Sequence, residues 1–139
     1  MNKVQDVNII LIDADDRVRG YLRSMLHRFG FANIQEAGSG EKALQAISVD
    51  PINLVFLDMN VPDINGLELI QRIKESQPKC QIIVTSNGIT ENLVHQITAS
   101  HIKRIVLKPF SNQTIETKVR EVLPLIYKTS WSTDPVLST

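Results

Sequence analysis

The sequence has a single cysteine, few aromatic residues, no net charge and no long hydrophobic run. With Cys80 as its only cysteine, the chain can form neither an internal disulfide framework nor a zinc site made of several cysteines. Fifteen Lys and Arg residues balance fifteen Asp and Glu residues, so no basic surface is expected to attract nucleic acid or anionic lipid. The longest apolar runs, at 9–12 and 54–57, are far shorter than the roughly 18 residues of a membrane helix.

Length and the first residues favour one domain in the cytoplasm. The chain has 139 residues, and a domain takes about 100 to 200. Its hydrophobic fraction of 42% is enough for a core. The apolar stretch that follows Asp6 is too short for a signal peptide. We therefore expect a cytoplasmic protein that binds neither nucleic acid nor a membrane directly.

Short runs of Ile, Val and Leu predict the strands of a sheet. Most of them are nearly continuous, which is typical of parallel strands that are buried on both faces. The run at 32–36 is weaker and is expected at an edge. The predicted strands are 7–13, 32–36, 53–58, 81–85 and 104–108.

In the segments between these runs, apolar residues recur at the intervals typical of an amphipathic helix. The first helix has apolar residues that step by four, three and four positions from Val18 to Phe29, and the last repeats these steps from Ile115 to Ile126. Alternating strands and helices predict an α/β fold, with an open parallel sheet covered by helices on both faces. We expect this domain over residues 1–127, followed at 128–139 by a Ser-, Thr- and Pro-rich tail or the start of a linker.

Four of the apolar runs end in a polar residue that suits phosphoryl chemistry: Asp13, Asp58, Thr85 and Lys108. In open parallel sheets, ligands bind beyond the carboxyl ends of the strands, so these residues are expected on one rim. An Asp is a weak nucleophile toward a phosphoryl donor, and cations must neutralise the oxygens on which charge builds. Mg²⁺ and the Lys108 ammonium can supply that charge.

These motifs make residues 7 to about 127 resemble a response-regulator receiver domain of two-component signalling. The resemblance implies a flavodoxin-like (βα)₅ fold with strand order 2-1-3-4-5. The matching stretches are IILIDADDRVRGYL, EAGSGEKAL, LVFLDMNVPDINGLEL, VTS and LKPF, and the most specific is DMNVPDING.

The same resemblance implies a role for each site residue. Asp58 is the phosphoacceptor, and Thr85 and Lys108 contact the phosphoryl group. Asp13, Asp58 and the backbone carbonyl of Asn60 hold Mg²⁺. Receivers have a cis bond where Lys108 meets Pro109, an isomer that the sequence alone leaves open.

The resemblance also implies partners. The phosphodonor is a sensor histidine kinase or a histidine phosphotransfer protein. The output is a downstream protein or a C-terminal output domain outside this chain. Such a domain is not an enzyme, beyond at most slow autodephosphorylation.

Two positions depart from the family pattern. Ala14 stands where receivers have a second acidic residue that touches the metal, so Mg²⁺ is expected to bind weakly. Asp15 and Asp16 follow, and either they favour the positive N-terminus of the first helix or one of them replaces the missing ligand. Ile105 stands where many receivers have an aromatic switch residue. Both departures favour an alternative, a receiver-like interaction module that works without phosphate.

Two other classes fit the pattern less well. A haloacid-dehalogenase-type phosphatase would use Asp13 and Asp15 as its D-x-D signature, but Arg17 stands where Thr or Val is expected and no acidic pair follows Lys108. A flavodoxin shares the fold, but its first loop must cradle a phosphate, which the acidic residues Asp13, Asp15 and Asp16 would repel.

Overall fold

The computed structural model describes residues 3–131, which form one five-stranded parallel sheet with helices on both faces. The strands are β1 (Asn8–Ile12), β2 (Asn33–Ala37), β3 (Leu54–Asp58), β4 (Gln81–Ser86) and β5 (Ile105–Leu107). The helices are α1 (Asp16–Arg28), α2 (Gly40–Val49), α3 (Gly66–Ser76), α4 (Glu91–Ser100) and α5 (Asn112–Trp131), preceded by a 3₁₀ turn at Val4–Asp6. None of the helices in this part of the chain is both long and apolar enough to cross a membrane.

The sheet has the order β2-β1-β3-β4-β5, which confirms the flavodoxin-like arrangement implied by the resemblance. The weak run at 32–36 forms the edge strand β2, as predicted. β5 is the opposite edge and is shorter than the run at 104–108, since it covers only 105–107. An edge strand has one neighbour, and Leu107 in β5 is 42% exposed.

Side chains that alternate along the strands fill two hydrophobic cores. Ile10 and Ile12 of β1 face the core under α2, α3 and α4, whereas Ile9 and Leu11 face the core under α1 and α5. Because every one of these side chains is at most 1% exposed, the strand ends have fixed positions at the rim. The buried face of α4 is narrow, since Leu93 is buried but Val94 is 51% exposed.

Side-chain caps lie at the starts of all five α-helices of the described residues. The side chains of Asp15, Ser39, Asn65, Thr90 and Ser111 each accept hydrogen bonds from backbone N–H groups in the first turn of α1, α2, α3, α4 and α5, respectively. The last helix, α5, continues through Trp131 and thus four residues past the boundary predicted at 127. The rest of the predicted tail, 132–139, lies outside the described residues.

Candidate functional site

The structure brings the four polar strand ends together at one rim of the sheet. Asp13 follows β1 and Asp58 ends β3. Thr85 lies in β4 directly beside Asp58, and Lys108 follows β5. Asp13, Asp58 and Thr85 are 3%, 5% and 2% exposed, so these three polar residues are buried.

Lys108 connects the two carboxylates. Its Nζ donates to Asp13 Oδ2 at 2.7 Å and lies 3.5 Å from Asp58 Oδ2. The Lys108 backbone N–H donates to the Ser86 carbonyl at 2.7 Å, which fixes the start of the side chain beside β4. The Lys108–Pro109 peptide bond is cis. One ammonium group is therefore shared by two acids that sit on different strands.

Burial raises the pKa of Asp58 above its ordinary value of 3.8, and the charge of Asp13 raises it further. A hydrogen bond from the Asn60 N–H to Asp58 Oδ1, at 2.9 Å, and the Lys108 charge lower the pKa in part. Because the folded-state pKa is raised, ionised Asp58 opposes folding, and this cost disappears as the pH falls through the raised pKa toward 3.8. The site thus favours any additional cation that neutralises Asp58.

All three oxygen atoms of Asp13 have partners. Oδ1 accepts from the Asp15 N–H at 2.8 Å and Oδ2 from Lys108, while the backbone carbonyl accepts from Arg19 Nη1. The strand pairing continues into this residue, because the Asp13 N–H donates to the Ala37 carbonyl at 3.1 Å. Asp13 is therefore held from its backbone and its side chain together.

Asp15 and Asp16 are engaged at the start of α1. Asp15 Oδ1 accepts from the Arg17 N–H at 2.9 Å, and that bond lowers the pKa of Asp15. Asp16 forms an ion pair with Arg19 and its side chain is 89% exposed. Ala14 is exposed. Within residues 3–131 no group of three or more His, Cys, Asp and Glu side chains could hold a metal ion.

The donor set still fits a hard cation that keeps several waters. Two buried carboxylates, from Asp13 and Asp58, face one ammonium, which leaves a net negative charge at the rim. Mg²⁺ typically binds through one or two carboxylates plus waters and phosphate oxygens. Asn60, the third residue of the predicted metal site, is exposed beside Asp58.

The Thr85 hydroxyl is buried next to Asp58 and makes no hydrogen bond to any residue in the described part of the chain. A buried hydroxyl without a partner is unfavourable by about 1–3 kcal/mol. The backbone carbonyl of Thr85 accepts a hydrogen bond from the Met59 N–H at 3.1 Å, which joins the ends of β3 and β4. A phosphoryl oxygen on Asp58 would give this hydroxyl an acceptor.

Sequence reasoning missed two residues that support the rim. Arg19 binds the Asp13 carbonyl from α1, and Asp63 accepts from the N–H groups of Gly40 and Glu41, both at 2.9 Å. These two hydrogen bonds lower the pKa of Asp63. Asp63 lies inside the DMNVPDING stretch, which was a usable signal, whereas nothing in the spacing of Arg19 indicates its partners.

A cleft of about 500 Å³ opens beside Lys108. Tyr21 and Phe110 form part of its wall, with ring centroids 6.1 Å apart. The cleft lies between α1 and the segment that follows β5, and it is lined by Arg17, Val18, Tyr21, Asn87, Lys108, Pro109 and Phe110.

Known proteins are similar to this chain in sequence and in fold. The transcriptional regulatory protein ResD of Bacillus subtilis is 30% identical over 94% of this chain, which spans 54% of the length of that relative. A chemotaxis protein CheY homolog of Campylobacter jejuni is 25% identical over 84% of this chain and 92% of its own. A response regulator structure from Burkholderia pseudomallei, with a phosphorylated aspartic acid, calcium ion and citrate, has the same fold: its TM-score is 0.74 at 21% identity, covering 94% of this chain and 76% of that one.

The family pattern covers most of the fold described above. The response regulator receiver domain profile matches residues 9–120, from β1 into α5. This match includes all the strand-end residues at the rim. Receiver domains are phosphoacceptor signalling domains and are not, in general, enzymes. The chain therefore belongs to the response regulator receiver domain family of two-component signalling.

Proposed function

We propose that Asp58 accepts a phosphoryl group from a histidine kinase or a histidine phosphotransfer protein, and that this shifts the domain between two signalling states. The observation that carries the proposal is the Lys108 ammonium, which reaches both Asp13 and Asp58 at a buried strand-end rim. A protein of the same fold, from Burkholderia pseudomallei, carries a phosphorylated aspartic acid.

The residues present can perform this transfer. An Asp58 carboxylate oxygen attacks phosphorus, and the bond from phosphorus to the donor's imidazole nitrogen breaks, leaving its electron pair on the ring. Lys108 neutralises charge on the phosphoryl oxygens as the transfer proceeds. The Thr85 hydroxyl, buried beside Asp58, donates to a phosphoryl oxygen. The exposed cleft beside Lys108 leaves room for the donor's imidazole to approach.

Asp13, Asp58 and the Asn60 backbone carbonyl are the groups that would hold Mg²⁺. The ion supplies further neutralisation of the phosphoryl oxygens. Ala14 contributes no carboxylate, and Asp15 is engaged as the cap of α1. These two observations support weak binding of Mg²⁺.

Phosphorylation with a small donor tests the proposal. The protein is incubated with acetyl phosphate and Mg²⁺, and we expect its intact mass to increase by one phosphoryl group. Asp58→Asn removes the nucleophile and should abolish this increase, because an amide cannot accept the group. Label that persists in the Asp58→Asn variant, or that maps to Asp13, would overturn the assignment and favour a phosphatase-like intermediate.

A second candidate is an interaction module that works without phosphate. It is favoured by an apolar groove between α4 and β5, of about 340 Å³, that is already open around the half-buried Ile105. Ile89, Val94 and Leu107 line this groove and are exposed. Amide shifts on adding a phosphoryl mimic separate the two candidates. Shifts that reach α4 and β5 support phosphate-dependent signalling, whereas shifts confined to the rim support the second candidate.

A further inference from the structure

Arg19 connects the site to a neighbouring strand through three separate contacts. Its Nη1 donates to the backbone carbonyl of Asp13, its Nη2 pairs with the Asp16 carboxylate, and its Nε donates to Glu36 Oε1 at 3.1 Å. The Arg19 side chain is only 14% exposed. Each nitrogen of the guanidinium is thus used by a different partner, on the β1–α1 loop, on α1 and on β2.

The contact with Asp13 fixes the peptide group that joins Asp13 to Ala14. The carboxylate of the same residue must reach Lys108 at 2.7 Å, so its backbone orientation decides whether that contact forms. Ala14 has no polar side chain with which to anchor this loop. Arg19 holds the Asp13 carbonyl from α1, in addition to the Asp15 N–H that donates to Asp13 Oδ1 within the loop.

We propose that Arg19 is a positioning residue for phosphorylation: it holds Asp13 in register with Lys108 and Asp58, and thereby sets the maximal rate of transfer to Asp58. The inference rests on the function proposed above. Outer groups that orient the residues of a metal or phosphoryl site typically affect affinity or activity by about 10- to 100-fold.

Arg19 also carries a charge, and the effect of that charge is separable from positioning. Removing it leaves Asp16 without its ion pair and leaves Glu36 paired with Arg23 alone, which increases the negative potential near the rim. A change in potential alone should lower the Mg²⁺ concentration needed for half-maximal rate and leave the rate at saturating Mg²⁺ unchanged. Loss of positioning should lower the rate even at saturating Mg²⁺.

Arg23 provides a matched control on the same helix. Its Nη1 donates to Glu36 Oε2 at 2.7 Å, so it shares one carboxylate with Arg19. Neither its hydrogen bonds nor its ion pairs include Asp13 or any other residue of the rim. Arg23→Gln therefore removes the same charge from the same cluster without touching the site.

The experiment compares Arg19→Gln, Arg19→Lys and Arg23→Gln with the unchanged chain. Initial rates of phosphorylation by acetyl phosphate are measured at saturating Mg²⁺ over a range of donor concentrations, and urea unfolding is measured in parallel. We expect Arg19→Gln to lower the maximal rate of phosphorylation by about tenfold. The maximal rate of Arg23→Gln should equal that of the unchanged chain. Arg19→Lys keeps the charge but cannot bond three acceptors in one plane, so its rate should fall between them.

Equal maximal rates for Arg19→Gln and Arg23→Gln would overturn the inference, since both then act only through charge or stability. If Arg19→Gln does not fold, Arg19→Lys decides: a maximal rate equal to that of the unchanged chain also overturns it. An unchanged chain that takes up no phosphoryl group overturns the proposed function itself. The two failures are thus distinguishable.

Discussion

Replacing Lys108 with methionine removes the ammonium that two buried carboxylates share, while keeping a side chain of similar length. Lys108 Nζ lies 2.7 Å from Asp13 and 3.5 Å from Asp58, and the two acid side chains are 4% and 7% exposed. At an effective dielectric constant of 20, two unit charges 4 Å apart interact by about 4 kcal/mol. Desolvation of the ammonium offsets part of this attraction in the unchanged protein.

The loss comes from the two carboxylates, which keep the hydrogen bonds from the Asp15 and Asn60 N–H groups but lose their cation. Removing one member of a buried pair is typically destabilising by about 3–5 kcal/mol. The Lys108 side chain is 15% exposed, so water can partly replace it, and we expect a loss of about 3 kcal/mol. A domain has about 5–15 kcal/mol of stability in total, so the variant should still fold.

Acid should reverse much of this loss. The pKa of Asp58 is raised in the folded protein, and without Lys108 it rises further, so a falling pH protonates Asp58 and removes one unpaired charge. The difference in unfolding free energy between the two proteins should therefore shrink as the pH falls from 7 through the raised pKa. It should also be smaller when Lys108→Met is introduced into Asp58→Asn, which already lacks one carboxylate.

Urea unfolding at several pH values measures these differences. The reasoning is refuted if Lys108→Met lowers the free energy of unfolding at pH 7 by less than about 1 kcal/mol, which is the contribution of a solvent-exposed salt bridge. It is refuted as well if the loss is the same at every pH and in the Asp58→Asn background, because the carboxylates would then not be its cause.

Three further predictions concern the metal site, the packing around two glycines and the charge of Asp58. Ala14→Asp adds a carboxylate at the acidic site, so Mg²⁺ titration by calorimetry should show tighter binding, and unchanged affinity would mean that another group already fills this position. Gly66→Ala should lower the free energy of unfolding in urea by about 1–3 kcal/mol, because the new Cβ would lie 2.6 Å from Met59 Cε and 3.2 Å from the Met59 carbonyl oxygen. Gly20→Ala should raise this free energy by about 0.5–1 kcal/mol, because nothing lies within 4 Å of the new Cβ. Asp58→Asn should raise the melting temperature at pH 7 but not near pH 4, because only ionised Asp58 opposes folding; a gain that is independent of pH would contradict this reason.

The sequence was informative wherever a local pattern determines the structure. A polar residue that ends a buried apolar run must lie at the edge of the sheet, so Asp13, Asp58 and Thr85 could be placed on one rim without coordinates. The acidic residues that follow Asp13 also indicated where the first helix begins, and Asp15 is the cap of α1.

Contacts between distant segments could not be predicted in this way. Arg19 and Glu36 are 17 residues apart, and Asp63 caps a helix that begins 23 residues earlier. Such pairs depend on how loops pack after the sheet has formed. Which oxygen Lys108 contacts, and how far β5 extends, depend on the packing of an edge strand.

The edge position of β5 has a consequence for motion at the rim. β1 and β3 each pair with neighbours on both sides, whereas β5 has three residues and pairs with β4 alone. Short edge segments open locally at a lower free energy than central strands, and amide hydrogen exchange measures the difference. We expect amides in β5 to exchange faster than those in β1 and β3. Lys108 follows this short edge strand, whereas Asp13 and Asp58 belong to the central strands. Local opening of β5 would therefore withdraw the Lys108 ammonium from both carboxylates while the central strands stay paired.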